Sequence, residues 1–292
     1  MGPGHPECPS RLHAIEDQLI ASRLDGLLLR ETAPLADDDA LARVHSEAHI
    51  GYVRELAPDS GYAMIDPDTV MNRHTLNAAL RATGAAVAAT DAVLEGRYDN
   101  AFCGVRPPGH HAEPTRAMGF CFFNTVAVAA RHALDAHDLE RVAIIDFDVH
   151  HGNGTEAACM DDPRILMCSF FQHPFYPYSG TESHASNLVN VPLAARSNGT
   201  AVREVVERLW LPRLHAFKPQ MIFISAGFDA HREDDLGGMA LVEDDYTWLT
   251  TQICEIASLY AQGRIVSCLE GGYNLSALGR SVVAHLRVLS SA

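Results

Sequence analysis

The stretch Val142-Ala143-Ile144-Ile145-Asp146-Phe147-Asp148-Val149-His150-His151-Gly152-Asn153-Gly154 decides how this chain is read. It opens with an unbroken apolar run of the kind found in a parallel strand buried on both faces. The run stops at an acid. In extended backbone, positions i, i+2 and i+4 share a side, so Asp146, Asp148 and His150 are expected to point the same way. Two carboxylates on one side of an apolar strand end repel each other and are poorly solvated; a cation between them removes that penalty.

Residues 165–168, 221–224 and 265–268 are apolar runs of the same type. Helical spacing is expected at about 10–22, 75–94, 124–136, 200–216, 244–261 and 276–288, with Ser10 and Asp244 as N-caps and Gly96 and Gly263 as stops. The acidic run Asp37-Asp38-Asp39 is a helix start or a solvated loop. Strands alternating with helices imply an α/β fold, a three-layer domain with helices on both faces of a central, mainly parallel sheet. No Pro/Ser/Gly-rich linker divides the chain, so residues 1–292 are read as one domain.

Ligands of such sheets sit beyond the carboxyl ends of the strands. Three more polar segments fall there: Arg106-Pro107-Pro108-Gly109-His110-His111, Ser225-Ala226-Gly227-Phe228-Asp229-Ala230-His231 and Leu269-Glu270-Gly271-Gly272-Tyr273-Asn274. Asp148 and His150 offer the oxygen and nitrogen donors that zinc accepts, and Asp229 can supply a third ligand. Three protein ligands leave a position open for water, which is the catalytic pattern. Each residue alone could be a loop acid or a core histidine; the combination argues for the metal. In the His110-His111 pair one neutral imidazole could take a proton from water, with Asp146 orienting it. Tyr273, after two glycines, could bring a phenol close to a developing oxyanion.

Composition sets the class of partner. The 292 residues carry 22 bases and 37 acids, a net charge of −15. The acid surplus argues against binding the nucleic-acid backbone and would suit a cationic substrate. Seven scattered cysteines without a CxxC pair read as reduced thiols. No apolar run reaches the ~18 residues of a membrane span, and no secretory leader pattern is visible. The expected location is the cytoplasm.

The four polar segments, with Gly4-His5-Pro6-Glu7-Cys8-Pro9-Ser10-Arg11-Leu12, Met118-Gly119-Phe120-Cys121-Phe122-Phe123-Asn124 and Asn190-Val191-Pro192-Leu193, together resemble the histone deacetylase family. The resemblance is closer to its class II branch and to bacterial deacetylase-like amidohydrolases. It implies an arginase-like fold and zinc-dependent hydrolysis of acetylated lysine side chains or similar small acylated amines. It places Zn2+ on Asp148, His150 and Asp229, makes His111 the general base of the His110–His111 pair, and gives Tyr273 the acyl carbonyl to polarise. Asp146 would support His110, and Asn153 would support His111 as in class II. Gly119 and Phe120 would form one wall of the acyl-lysine channel and Tyr176 the other, where the family commonly has Phe. K+ would sit beside the zinc on Asp146, Asp148, His150, Ser169 and the backbone of Phe170. The strand that the family usually carries before Gly-His-Pro-Glu is expected to be missing.

Three rivals remain. A binuclear manganese ureohydrolase of the same fold would need more aspartates at a second metal. A binding module for acylated amines would not need every catalytic position filled. A hydrolase of acetylpolyamines or xenobiotic amides stays open; the polyamine enzymes of the family carry Glu seven positions after the third zinc ligand, where this chain has Leu236. Asp234 and Asp235, next to Leu236, would keep the mouth acidic. Oligomeric state is not readable from the sequence.

Overall fold

The computed structural model describes residues 1–182 and 185–291. A short antiparallel hairpin pairs β1 (Tyr62–Met64) with β2 (Val70–Asn72). The main sheet contains β3 (Asn100–Cys103), β4 (Val142–Asp146), β5 (Ile165–Gln172), β6 (Leu188–Leu193), β7 (Met221–Ala226) and β8 (Ile265–Leu269). All six strands are parallel, in the order β3-β8-β7-β4-β5-β6. The four strands legible as apolar runs are the inner four. The two edge strands are only partly buried and carry Asn100, Asn190 and Pro192, which break up an apolar run. A proline without an N–H is tolerated at an edge.

The helices are α1 (Ser10–Ala21), α2 (Asp38–Leu41), α3 (Glu47–Leu56), α4 (Thr75–Leu94), α5 (Thr125–Ala136), α6 (Asn153–Cys159), α7 (Gly199–Val205), α8 (Leu211–Phe217), α9 (Glu243–Tyr260) and α10 (Leu275–Leu289). They form the outer layers. Ala143 and Ile145 of β4 face one core, shared with side chains of α1, α7, α9 and α10. Val142 and Ile144 face the other, shared with α4 and α5. This period-two division is what a strand covered on both faces requires. The cysteines are all free thiols, most of them buried.

Two expected caps are corrected. Ser10 is already helical, and no side chain caps α1. Asp244 lies inside α9; the N-cap is Val242, whose N–H donates to Asp245 Oδ2 at 3.1 Å. Gly96 and Gly263 follow α4 and α9 at φ +70° and +78°, the left-handed backbone that ends a helix. The acidic run resolves as a helix start, Asp37 Oδ1 accepting the Ala40 N–H at 2.8 Å. The helix expected at 200–216 runs from α7 to α8 through a π-helical turn at Val206–Trp210.

Candidate active site

β4 ends at Asp146, yet the alternation of sides continues beyond it. Phe147 and Val149 are buried in the core, while Asp146, Asp148 and His150 face the loops at the carboxyl end of the sheet. There His150 Nδ1 lies 2.9 Å from Asp148 Oδ1 and 3.2 Å from Asp229 Oδ2. The outer oxygens of the two aspartates are held by backbone: Val149 N–H donates to Asp229 Oδ1 and Gly271 N–H to Asp148 Oδ2, both at 2.9 Å. Glycine makes room for these carboxylates. A Cβ at Gly227 would stand 2.1 Å from Asp148 Oδ2, and one at Gly271 would stand 1.9 Å from Asp229 Oδ2.

The three side chains present ligand atoms that all lie within 4.8 Å of one another. Asp229 Oδ2 is buried and accepts no well-aligned hydrogen bond, with His150 Nδ1 3.2 Å away beside it, an arrangement that costs free energy unless a cation or proton shares the site. Burial and the charge of Asp148 push the Asp229 carboxyl up to about 7. Burial opposes charge on His150, but the two aspartates outweigh it and raise the imidazole to about 10. Two carboxylate oxygens and one imidazole nitrogen, held from behind by backbone N–H groups, are a donor set that fits divalent zinc.

The histidine pair stands beside this cluster, its rings 4.0 Å apart. His110 Nδ1–H donates to Asp146 Oδ2 at 3.0 Å, and its Nε2 lies 3.8 Å from Asp148 Oδ1. His111 Nδ1–H donates to Asn153 Oδ1 at 2.8 Å. The amide is turned that way because its Nδ2 donates to Glu113 Oε1, also at 2.8 Å. The two imidazoles are biased in opposite directions. For His110, burial is outweighed by Asp148 and Asp146, and the cation is favoured. For His111, burial and the charges of His110 and His150 favour the neutral ring. With the proton on Nδ1, the lone pair of His111 is on Nε2.

Of the expected wall residues, Gly119 and Tyr176 lie against the His111 ring and Phe120 lies against Tyr273. Gly119 and Phe120 adopt φ of +56° and +68°. A Cβ at Gly119 would come within 2.5 Å of the His111 ring, so glycine lets this turn lie against the base. Phe120 stands edge-on to Tyr273 at 5.9 Å and Tyr176 edge-on to His111 at 5.2 Å. Burial raises the Tyr273 phenol well above its ordinary value, leaving it a neutral donor. Ser169 is the register partner of Asp146 across β4 and β5, and its hydroxyl donates to Phe170 O at 3.4 Å. The residues expected around potassium are therefore neighbours.

Leu236 is half-buried on the loop after β7, its N–H donating to Asp234 Oδ1 at 3.0 Å. The expectation that Asp234 makes the mouth acidic is corrected. Asp234 is buried and its carboxylate is spent on backbone amides, while Asp235 is exposed.

Sequence reasoning assigned no role to four further residues. Glu270 Oε2 accepts the N–H groups of Gly109 (2.6 Å) and His110 (3.1 Å), so it holds the backbone of the histidine pair. Burial lifts its carboxyl to about 7. Its signal was available: like Asp146, it is an acid ending a buried apolar strand. Arg11 is fully buried, donates to Gly272 O at 2.6 Å and Glu270 O at 2.5 Å, and lies 4.8 Å from the Tyr273 ring centre. Glu7 pairs with Arg11 and, through two hydrogen bonds, with Arg106. Apart from Glu7 four positions earlier, nothing local in the sequence marks Arg11, because the carbonyls it donates to lie about 260 positions away.

Residues 5–289 match the family model described as Histone deacetylase domain. An uncharacterized protein of Synechocystis sp. is 40% identical over 99% of this chain and 94% of its own length. A histone deacetylase-like amidohydrolase of Pseudomonas aeruginosa is 38% identical over 93% of this chain and 73% of its own. Among solved structures, the HDA15 HD domain superposes with a TM-score of 0.92 at 33% identity, covering 100% of this chain and 86% of that one.

Proposed function

The chain belongs to the histone deacetylase family, and on that premise we propose that it is a zinc-dependent amidohydrolase that removes acetyl groups from lysine side chains or similar acylated amines. One observation carries the reading: two touching imidazoles, biased toward opposite protonation states, stand beside a converging Asp–His–Asp donor set. Adjacent titratable groups pushed apart in this way are the mark of an acid–base pair.

Asp148, His150 and Asp229 would hold Zn2+, which when bound supplies a Lewis acid for the acyl carbonyl and lowers the pKa of water. His111, neutral and with Nε2 free, accepts the proton of the attacking water. Asn153 keeps that ring in the required tautomer, and Asp146 keeps His110 charged. As the carbonyl carbon becomes tetrahedral, the Tyr273 phenol donates to the oxyanion. An imidazolium then protonates the amine as the C–N bond breaks, and acetate leaves. Gly119, Phe120 and Tyr176 would line the channel for the methylene stem, with Leu236 at its rim. Asp146, Asp148, His150, Ser169 and Phe170 would hold K+ and brace the zinc ligands. Asn153 fits the class II pattern.

Residues 1–292 would act as one deacetylase domain, in the cytoplasm. Among the described residues no helix is long and apolar enough to cross a membrane, and the acid surplus supports no nucleic-acid partner. Leu236 and the inward turn of Asp234 favour acetyl-lysine over acetylpolyamines. The test is zinc-loaded protein assayed on acetyl-lysine peptides, acetylpolyamines and small anilides. Zinc bound with no turnover of any of them would leave the binding-module reading in its place.

A further inference from the structure

Asp91, His132 and His137 form a second cluster of metal-ligand side chains, far from the candidate active site. Asp91 is in the last turn of α4, His132 is in α5, and His137 is the first residue beyond α5. The chain then runs from the end of α5 into the start of β4 at Val142. The cluster thus lies at the amino end of the sheet, whereas the proposed catalytic groups lie at its carboxyl end.

Both rings converge on one atom. His132 Nε2 is 2.6 Å and His137 Nε2 is 2.7 Å from Asp91 Oδ1. The rings stand edge to face, centres 5.4 Å apart. Hydrogen bonding alone would satisfy one ring per carboxylate oxygen lobe; here two rings and one carboxylate also gather three donor atoms within 4.8 Å of one another. Ligands of a tetrahedral ion at about 2.0–2.1 Å stand roughly 3.3 Å apart. The present contacts would have to open by about 0.6 Å to meet that spacing. The side chains are 14%, 25% and 34% exposed, so small torsional changes suffice and water can complete the coordination.

We propose that Asp91, His132 and His137 bind a divalent transition-metal ion, distinct from the candidate catalytic zinc, which ties the end of α5 to α4. Two imidazoles and one carboxylate select zinc or a neighbouring first-row ion over magnesium and calcium, which prefer all-oxygen sites. Each ring would ligate through Nε2 as a neutral imidazole with its proton on Nδ1, so acid competes with the metal and weakens binding. The role is structural, because no reacting group of the proposed mechanism is within reach.

The experiment is metal content per chain after dialysis against buffered Zn2+ with a weak competing chelator. The parent protein should retain two equivalents. His132→Ala, His137→Ala and the conservative Asp91→Asn should each retain one and keep full turnover. Asp229→Ala should also retain one, the ion of the α4–α5 site. Added Zn2+ should raise the melting temperature of Asp229→Ala and leave that of Asp229→Ala/His132→Ala unchanged. A parent holding one equivalent that Asp229→Ala abolishes would overturn the proposal and leave the catalytic site standing. A second equivalent that persists in His132→Ala/His137→Ala would also overturn it. One equivalent that survives Asp229→Ala but not His132→Ala would support this site while removing the catalytic one.

Discussion

The buried carboxylate of Asp234 fastens the Tyr273 turn to the Leu236 loop. Its Oδ2 accepts the N–H groups of Tyr273 at 2.6 Å and Asn274 at 2.9 Å, and its Oδ1 accepts that of Leu236 at 3.0 Å. The phenol proposed to meet the oxyanion is thus positioned through its own backbone.

Tyr273→Phe should lower kcat by about 10²–10³-fold, the range for one lost oxyanion donor. Asp234→Ala should lower kcat by about 10²-fold through misplacement of the same phenol, with KM and zinc content little changed. In the double variant the losses should be far from multiplicative, since both act through one hydroxyl. Fully multiplicative losses would show that Asp234 does not position Tyr273.

Asp229→Ala should lose zinc from the candidate active site, and with it turnover, while unfolding remains cooperative. The readouts are elemental analysis and calorimetry. A hydroxamate should inhibit the parent by chelating the open metal positions. Undiminished zinc at that site in the variant would remove Asp229 from the ligand set.

Asn153→Asp should move the acidic limb of the kcat/KM profile to higher pH. In the parent, burial and the neighbouring histidines hold His111 well below its ordinary value. A carboxylate at position 153 favours the imidazolium, so the base form is lost at a higher pH as the solution is acidified. A profile that stays put, or shifts to lower pH, would mean that another group supplies the limb.

Leu236→Glu should narrow or reverse a preference for acetyl-lysine peptides over N8-acetylspermidine, measured as the ratio of kcat/KM. With Asp234 turned inward, a carboxylate at position 236, the proposed rim, adds the charge that a secondary ammonium would pair with. A parent that already prefers the polyamine, or a ratio that does not respond, would rule out Leu236 as the selectivity residue.

Stability should fall as the pH drops below about 6.5, in part through His285. This ring is fully buried, and burial lowers it from 6.5 to about 3. The Thr250 hydroxyl donates to Tyr246 O, so it accepts the His285 Nδ1–H at 2.7 Å; Ser267 Oγ lies 2.9 Å from Nε2 and can donate there. Both nitrogens are satisfied with the ring neutral. Because the unfolded imidazole takes up a proton first, His285 contributes stability that is complete above 6.5 and declines toward about 3. Denaturant unfolding of His285→Asn between about pH 6 and pH 4 should show a slope shallower by about 1.4 kcal/mol per pH unit. Equal slopes in parent and variant would contradict the neutral buried ring.

Local sequence pattern made the inner strands and the candidate metal ligands legible. A strand covered on both faces must be an unbroken apolar run, so 142–146, 165–168, 221–224 and 265–268 were legible. An Asp or His at the end of such a run has no local reason to be there, which exposed Asp146, Asp148, His150 and Asp229. The tertiary structure decided what depends on distant partners. The edge strands β3 and β6 are half-exposed and have no such pattern. The caps moved because local helix signals compete over a few tenths of a kcal/mol up to about 2 kcal/mol. Arg11, Glu270 and Asp234 acquire their positions from backbone groups brought up by other strands. The opposite bias of His110 and His111 is of the same kind. Two adjacent, identical residues differ because one ring lies by the carboxylates of Asp148 and Asp146 and the other by the charges of His110 and His150, and burial magnifies that difference by removing the water that would screen it.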